Sequence, residues 1–230
     1  MPSTPSDSLP LKTTRIRVRR KQARPAELLD AALDLFVEKG YAATKVETVA
    51  ARAGVSKGTL FLYFPSKADL FNAVVRENIG IRFRQWNQEF EAFQGSTADM
   101  LRYCYHSWWE HVGATKASGI TKLMLCEAGN FPEIALFYQR EVSEPGHALI
   151  RRILQRGIDS GEFRSVDLDY AVHAVVSPLM FLTLSQHASL ACVPGSLTVS
   201  PPLYLENQIN MLLHGLLQPE AGPGILKSQA

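Results

Sequence analysis

Four helix starts and three helix stops alternate between Pro25 and Asp69, and this spacing constrains the fold more than any other feature of the sequence. Pro25 suits the first turn of a helix, where its missing N–H costs nothing. Apolar residues then recur on one face until Gly40, where this first helix is predicted to end. The residues of that face are Leu28, Ala32, Leu35 and Phe36.

Two short helices are predicted to follow. Thr44 and Glu47 have the spacing of a capping box, and Gly54 is placed for a left-handed cap at the end of the second helix. Ser56 is placed to cap a third helix, which Pro65 ends. A helix, a short helix, a glycine turn and another short helix in this order have the sequence form of a helix-turn-helix unit.

The rest of the chain is predicted to be helical as well. Ser66 and Asp69 form a second capping box, and the fourth helix that they open is predicted to continue to about Phe93. No run of β-branched residues alternates as a strand would. Further helices are predicted at roughly 97–113, 117–130, 132–159, 167–190 and 203–217, with a Pro/Gly/Ser-rich loop at 190–202. The fold class is therefore all-α, with a three-helix domain at 25–70 and a larger helical domain at 71–218.

The third helix, in the segment SKGTLFLYF, has two different faces. Leu60, Phe61 and Phe64 are predicted to pack against the first helix. Gly58 costs about 1 kcal/mol relative to alanine inside a helix, so helical propensity does not explain it. A missing side chain there lets a phosphate or a base edge approach the helix N-terminus. The outward face consists of Lys57, Gly58, Thr59, Leu62 and Tyr63.

Residues 26–75 resemble the N-terminal DNA-binding domain of the TetR (tetracycline repressor-like) family. The resemblance rests on L-x-x-A-L-x-L-F-x-x-x-G-Y, followed by T-x-V-x-x-V-A-x-x-A-G-V-S-K-G-T-L-F-x-Y-F-P-S-K-x-x-L. It implies a dimeric transcriptional regulator, usually a repressor, whose variable C-terminal domain dimerises and binds an effector. The DNA-contacting positions that it implies are Thr44, Lys45, Lys57, Gly58, Thr59, Leu62, Tyr63 and Lys67.

Two of these positions, and the neighbouring Phe61, carry a more specific expectation. The resemblance implies that Thr44 caps the second helix near a phosphate. Phe61 stands where many members of the family have tyrosine, so a hydroxyl contact to phosphate is absent there. Leu62 is apolar where polar base readers occur, which suggests contact with a thymine methyl group.

The positive charge of the chain is concentrated near its N-terminus. Residues 1–80 carry 13 Lys and Arg and 8 Asp and Glu, whereas residues 81–230 carry 11 and 14. A disordered basic arm is predicted at 1–24, and a flexible tail at 219–230. Two interpretations of the arm stay open: a solvated charge run, or a segment that contacts nucleic-acid phosphates.

Aromatic residues concentrate at 86–109 and predict either a ligand cavity or a filled core between helices. An aromatic stripe is more often a core, but the resemblance implies a cavity in this domain, so both interpretations stay open. Glu127 lies on an apolar helix, where it is either an acid that orients a cationic or hydroxylated ligand or a surface residue paired with arginine. The predicted pocket residues are Trp86, Phe90, Tyr103, Trp108, Trp109, Glu127 and Phe131.

Other classes of site are not supported by the sequence. Cys104, Cys126 and Cys192 are far apart, so we expect reduced thiols, no metal site and no cofactor. The N-terminus lacks the apolar region of a signal peptide, and the apolar stretch at 171–184 is too short to span a bilayer. We therefore expect no membrane partner and a cytoplasmic, nucleoid-associated protein.

These observations predict a homodimeric transcriptional regulator that binds a palindromic double-stranded DNA operator and is released by a small apolar or amphipathic ligand. The apolar helices around 170–188 and 203–217 are predicted to form the dimer interface. An alternative is a ligand-independent, DNA-bound adaptor that recruits a protein through its C-terminal domain. An enzyme is not predicted, because no paired acids, no nucleophile with a base and no metal cluster are visible.

Overall fold

The computed structural model describes residues 13–187 and 200–217, with side chains from Pro25 onward, and nearly all of this part of the chain is helical. The N-terminal helices are α1 at Thr13–Ala43, α2 at Val46–Arg52, α3 at Lys57–Phe61 and α4 at Lys67–Val75. A wider, π-helical turn at Arg76–Gly80 joins α4 to α5 at Ile81–Ala92 without a break. The long fourth helix predicted from the sequence is thereby confirmed.

The C-terminal part contains six further helices in its described residues. These are α6 at Thr97–Trp108, α7 at Ser118–Glu127, α8 at Pro132–Tyr138, α9 at Glu144–Asp159, α10 at Leu168–His187 and α11 at Pro201–Leu216. π-Helical turns extend α6 over Trp109–Gly113 and join α8 to α9 over Gln139–Ser143. Phe163 and Leu217 form the single β-bridge of the described residues, so the all-α class is confirmed.

Three predicted segments lie partly or wholly outside the described residues. They are the arm at 1–24, the loop at 190–202 and the tail at 219–230. Within the arm, the structure extends α1 back to Thr13, so the backbone of residues 13–24 is helical where the sequence predicts disorder. The loop is described only from Ser200, and the tail is not described at all.

The region between α1 and α2 differs from the prediction. At Gly40 the backbone adopts φ 81° and ψ 170°, which favours glycine, and the chain then makes one further helical turn to Ala43. The capping box predicted at Thr44 is wrong, because α2 is capped at Lys45 without a side-chain hydrogen bond. Thr44 is buried instead, and its hydroxyl is 3.0 Å from the Leu35 carbonyl and 2.7 Å from the Gly40 carbonyl.

Two apolar cores hold the molecule together. The first joins α1–α4 to α7 and α8, with Phe36 and Phe71 fully buried at its centre. The second joins α6, α9, α10 and α11 around residues such as Tyr105 and Ile153. Since α7 and α8 pack against the N-terminal helices, the two halves of the chain share an apolar core.

Helix α10 requires a correction to the sequence analysis. With 20 residues it is long and apolar enough to cross a membrane by length and composition, although the stretch at 171–184 alone is too short. It packs against α7, α9 and α11, yet only 28% of its most apolar 18-residue window is buried in the chain. Several of its apolar residues, including Tyr170, Phe181 and Leu184, are therefore exposed on the surface of the chain.

Candidate nucleic-acid interface and ligand cavity

Helix α3 is held by one capping residue and one buried anchor. The Ser56 hydroxyl accepts a hydrogen bond from the Thr59 amide at 3.1 Å and lies 2.9 Å from the Thr59 hydroxyl. Leu60 is completely buried and packs in the N-terminal core, while Phe64 is half-buried against the same core. These two contacts fix which side of the short helix faces outward.

The outward side is mostly as the sequence predicts. Lys57 and Gly58 are exposed, and Leu62 is 84% exposed. Thr59 and Tyr63 are half-buried, and Tyr63 packs partly against the N-terminal core.

Gly58 leaves space that the protein itself does not use. The nearest atom to a Cβ built at this position is the Ser56 hydroxyl oxygen at 3.8 Å, an ordinary contact. The internal packing of the protein therefore does not require glycine here. Glycine here leaves room for a partner that approaches α3 from outside.

Phe61 does not belong to the core, so its predicted packing against the first helix is wrong. It is 37% exposed, and the Lys57 ammonium lies 5.7 Å from its ring centroid. On a helix of only five residues, Phe61 lies four positions after Lys57 and shares its outward side. An apolar ring and Leu62 therefore lie side by side on the exposed surface.

The lysines around α3 differ in the contacts that their ammonium groups make within the protein. Lys45 is exposed, whereas the Lys57 ammonium forms a 2.6 Å ion pair with Glu47. Hydrogen bonding to Lys57 lowers the pKa of the Glu47 carboxyl. Lys67 donates to the Ala42 carbonyl at 3.2 Å and lies 4.4 Å from the Tyr41 ring centroid. Partial burial lowers the pKa of Lys67, so this lysine has a structural role as well as a charge.

The C-terminal domain contains an apolar cavity of about 460 Å³. This volume is within the usual range of small-molecule sites. All three π-helical turns of the described chain contribute to its wall, through Ile79, Val112 and Val142. Such turns are rare and are frequently found at functional sites. The aromatic patch therefore borders a cavity on one side, while part of it packs in the second core.

Only two of the seven predicted pocket residues line this cavity. They are Trp86 and Trp108. Phe90 and Tyr103 line a separate space of about 10 Å³, too small for an organic ligand. Trp109 packs against the second core without lining the cavity.

Several lining residues could not be identified from the sequence. They include Phe83, Tyr105, Thr121, Tyr138 and His147. The available signals were the aromatic concentration at 86–109 and apolar spacing along the helices, and neither distinguishes a cavity wall from a core.

The polar groups of the wall are few and uncharged. Thr121 and Tyr138 form a hydroxyl–hydroxyl hydrogen bond of 2.9 Å, and burial raises the pKa of Tyr138 to about 12. Tyr105 donates to the Val175 carbonyl at 2.7 Å, and Trp86 donates to Ser107 at 2.8 Å.

The two other titratable groups of the wall are also neutral at pH 7. Burial raises the pKa of the Cys104 thiol to about 12. Burial, together with the neighbouring His173, lowers the pKa of His147, so its ring is uncharged at pH 7.

Glu127 does not line the cavity but connects α7 to the N-terminal domain. Its two carboxylate oxygens accept hydrogen bonds from the amides of Tyr41 and Ala42, each at 3.1 Å. A Cβ at Gly40 would lie 2.3 Å from the carboxylate, so glycine is needed for this approach. Phe131 packs edge-on against Tyr41, with 4.8 Å between ring centroids. Both residues predicted as pocket residues are therefore part of a junction between domains.

Comparisons with known proteins agree with this arrangement. The model of bacterial regulatory proteins of the tetR family matches residues 28–74, and the model of the tetracyclin repressor-like C-terminal domain matches residues 94–191. Together they match more than half of the chain. The HTH-type transcriptional regulator RutR of Escherichia coli K12 is 40% identical over 90 residues, 39% of this chain and 41% of RutR. The chain thus spans less than half the length of this relative.

Two solved structures share the fold over most of the chain. FadR from Bacillus subtilis, in complex with stearoyl-CoA, has a TM-score of 0.66 and 19% identity, covering 83% of this chain and 98% of that one. A transcriptional regulator from Saccharomonospora viridis, in complex with choline, has a TM-score of 0.69 and 18% identity, covering 86% and 100%. At these identities the likeness concerns the fold alone.

Proposed function

Because the chain belongs to the TetR family of transcriptional regulators, we propose that it is a homodimeric repressor that leaves a palindromic DNA operator when a small ligand occupies its cavity. The proposed DNA contacts are Lys45, Lys57, Gly58, Thr59, Leu62 and Tyr63, with Lys67 at their edge. Thr44 is left out, because its hydroxyl is buried and donates inside the protein. Such a protein acts in the cytoplasm, on the chromosome.

The observation that carries this proposal is that the same helices wall the cavity and hold the DNA-binding domain. Helix α7 contributes Thr121, Met124 and Leu125 to the wall, and its Glu127 accepts the two amide hydrogen bonds from the end of α1. The long α4–α5 helix contributes Ile79 to the wall and begins at Lys67, beside α3. A ligand that moves either helix therefore moves the DNA-binding domain.

The proposed mechanism is a coupling of two binding equilibria. Two recognition helices must enter successive major grooves about 34 Å apart, so a dimer tolerates little change in their separation. A ligand that binds more tightly to the conformation with the wrong separation lowers the affinity for DNA, and DNA lowers the affinity for the ligand by the same factor. The presence of a cavity favours this mechanism over the ligand-independent adaptor.

Dimerisation is supported by an exposed stripe on α10. Tyr170, Ala174, Ser177, Phe181 and Leu184 are all exposed and follow one another at intervals of four and three residues. This is the spacing of a helix–helix seam. Leu203 and Met211 on the neighbouring α11 are also exposed, which widens the apolar surface. We propose that two copies bury this surface in a symmetric bundle, and sedimentation velocity measures the mass that results.

The DNA-binding part is tested by selecting bound fragments from a random pool of duplexes. We expect enrichment of an inverted repeat, whose binding is then measured by fluorescence anisotropy at several salt concentrations. Lys57→Ala should weaken binding to all sequences and lower the slope of log affinity against log salt by about one. Leu62→Ala should relax the preference at one A·T pair by removing an apolar contact.

Lys122→Ala, on α7, is the matched control for the loss of one positive charge. It should leave the salt slope unchanged. If no inverted repeat is enriched, or if Lys57→Ala behaves as this control does, the proposed interface is wrong.

A further inference from the structure

The cavity wall has no ionic partner for a charged ligand. None of the 23 described residues that line it is Asp, Glu, Lys or Arg. Its titratable side chains are Cys104, His147 and the tyrosines Tyr105 and Tyr138. The pKa shifts of all four favour the neutral form at pH 7. An unpaired charge buried there would lose its hydration without compensation, at a large cost in free energy.

The rest of the wall is mainly apolar, with twelve aliphatic and five aromatic residues. Phe83 and Trp86 pack edge to face, with 5.2 Å between ring centroids, and Tyr105, Trp108 and Tyr138 complete the aromatic surface. Rings of this kind favour offset or edge-on contact with another ring. A volume of about 460 Å³ corresponds to about fifteen water molecules at about 30 Å³ each in the liquid.

One polar group of the wall keeps unused hydrogen-bonding capacity. The Thr121 and Tyr138 hydroxyls together carry two hydrogens, and a single hydrogen bond between them uses only one. Thr121 is only 5% exposed, so water does not readily satisfy the remaining hydrogen. The Tyr105 hydroxyl and the Trp86 ring N–H already have partners within the protein, and the other such donors of the wall, on Trp108, Ser143 and His147, belong to half-buried residues that water reaches more easily. The hydroxyl pair is therefore the preferred donor to a ligand.

We infer that the cavity selects an uncharged, mainly apolar molecule that carries one neutral hydrogen-bond acceptor, and that this acceptor binds the Thr121–Tyr138 hydroxyl pair. This inference rests on the proposed function, because it specifies the class of effector for the same cavity. The inferred ligand class differs from that of a pocket that binds a carboxylate, a phosphate or a quaternary ammonium group through ionic contacts.

The test compares two probes of equal size that differ in charge. 2-Acetylnaphthalene and 2-naphthoate share the ring system and a carbonyl, but the first has a methyl group where the second has an anionic oxygen. Isothermal titration calorimetry at pH 7.5 measures both, and quenching of Trp86 and Trp108 fluorescence reports on occupancy. We expect the ketone to bind at least tenfold more tightly than the carboxylate, and choline to show no binding.

Two variants locate the binding site. Thr121→Val is nearly isosteric and should weaken ketone binding about fivefold, as expected for one lost hydrogen bond. It should leave the binding of naphthalene, which has no acceptor, unchanged. Ala135→Phe places a ring in the cavity and should abolish binding of the ketone, whereas Leu136→Phe, on the next residue and outside the cavity wall, should not.

Several results would overturn the inference. These are equal or tighter binding of 2-naphthoate, measurable binding of choline, absence of ketone binding at millimolar concentration, or the same loss of ketone and naphthalene affinity in Thr121→Val. Anisotropy with the selected operator tests the proposed function separately. If the ketone binds as expected but leaves operator affinity unchanged, the ligand class holds and ligand-controlled release is wrong.

Discussion

The N-terminal domain and the C-terminal domain use aromatic side chains for different purposes. In the first, Phe36, Tyr41 and Phe71 pack with ring centroids 5.2–5.8 Å apart and form a filled core. In the second, aromatic residues surround a cavity of about 460 Å³. A filled core holds α3 in one orientation, whereas a cavity leaves a volume that a ligand can occupy. This difference suits the N-terminal domain to binding DNA and the C-terminal domain to binding a ligand.

The largest expected effect is a loss of stability in the filled core, compared with a smaller loss at the cavity wall. Leu60→Ala removes a completely buried side chain that anchors α3 and should lower the free energy of unfolding by about 2–5 kcal/mol. Leu125→Ala, at the cavity wall and 55% exposed, should lower it by less than about 1 kcal/mol. Urea unfolding followed by circular dichroism measures both. Equal losses would show that the two environments do not differ in packing.

The junction between the domains should give the next largest effect. Glu127→Gln keeps the shape of the side chain but replaces one accepting oxygen by an NH₂ group, which leaves one amide of Tyr41 or Ala42 without a partner. We expect a loss of about 1–3 kcal/mol in unfolding free energy. We also expect faster hydrogen exchange at these two amides, measured by mass spectrometry.

Glu110→Gln is the matched control for the junction, since Glu110 is exposed in the C-terminal domain. It should change neither stability nor exchange. If Glu127→Gln leaves the exchange of the two amides unchanged, the carboxylate does not hold the junction.

A third prediction concerns Gly58, where stability and DNA binding should change in opposite directions. Gly58→Ala removes backbone freedom from the unfolded chain and meets no close atom, so it should raise the unfolding free energy by about 0.5–1 kcal/mol. The added methyl group should lower operator affinity by about tenfold, measured by anisotropy. Gly54→Ala, where φ is +68°, should instead lower stability. If Gly58→Ala leaves operator affinity unchanged, close approach of DNA does not explain the glycine at this position.

The smallest effect is expected at the ion pair between Lys57 and Glu47. Because Lys57 lowers the pKa of Glu47, the pair stabilises the fold above the ordinary pKa of glutamate, and this contribution is lost as the pH falls through the lowered value. Glu47→Gln frees the lysine for a phosphate and removes a negative charge beside the DNA. Operator affinity should therefore rise a few-fold at low salt and less at high salt. An unchanged affinity at low salt would indicate that Lys57 does not face the DNA.

Much of this protein is determined by local sequence. Capping at Ser56 and Ser66, the left-handed turn at Gly54 and the continuous helix from Lys67 to Ala92 all follow from neighbouring residues, and the structure confirms them. The burial of Leu60 and the exposure of Leu62 also follow, because a helix fixes which residues share a face.

Contacts between distant residues were decided only by the tertiary structure. Thr44 turned inward because the chain reverses at Gly40, and Glu127 reached the amides of Tyr41 and Ala42 across 85 residues or more. The cavity wall likewise combines residues from all six helices between α5 and α10, so the pairing of Thr121 with Tyr138 has no local signal. Apolar periodicity shows which face of a helix is buried. Whether the space beside that face is filled depends on how several helices pack together, which no single segment encodes.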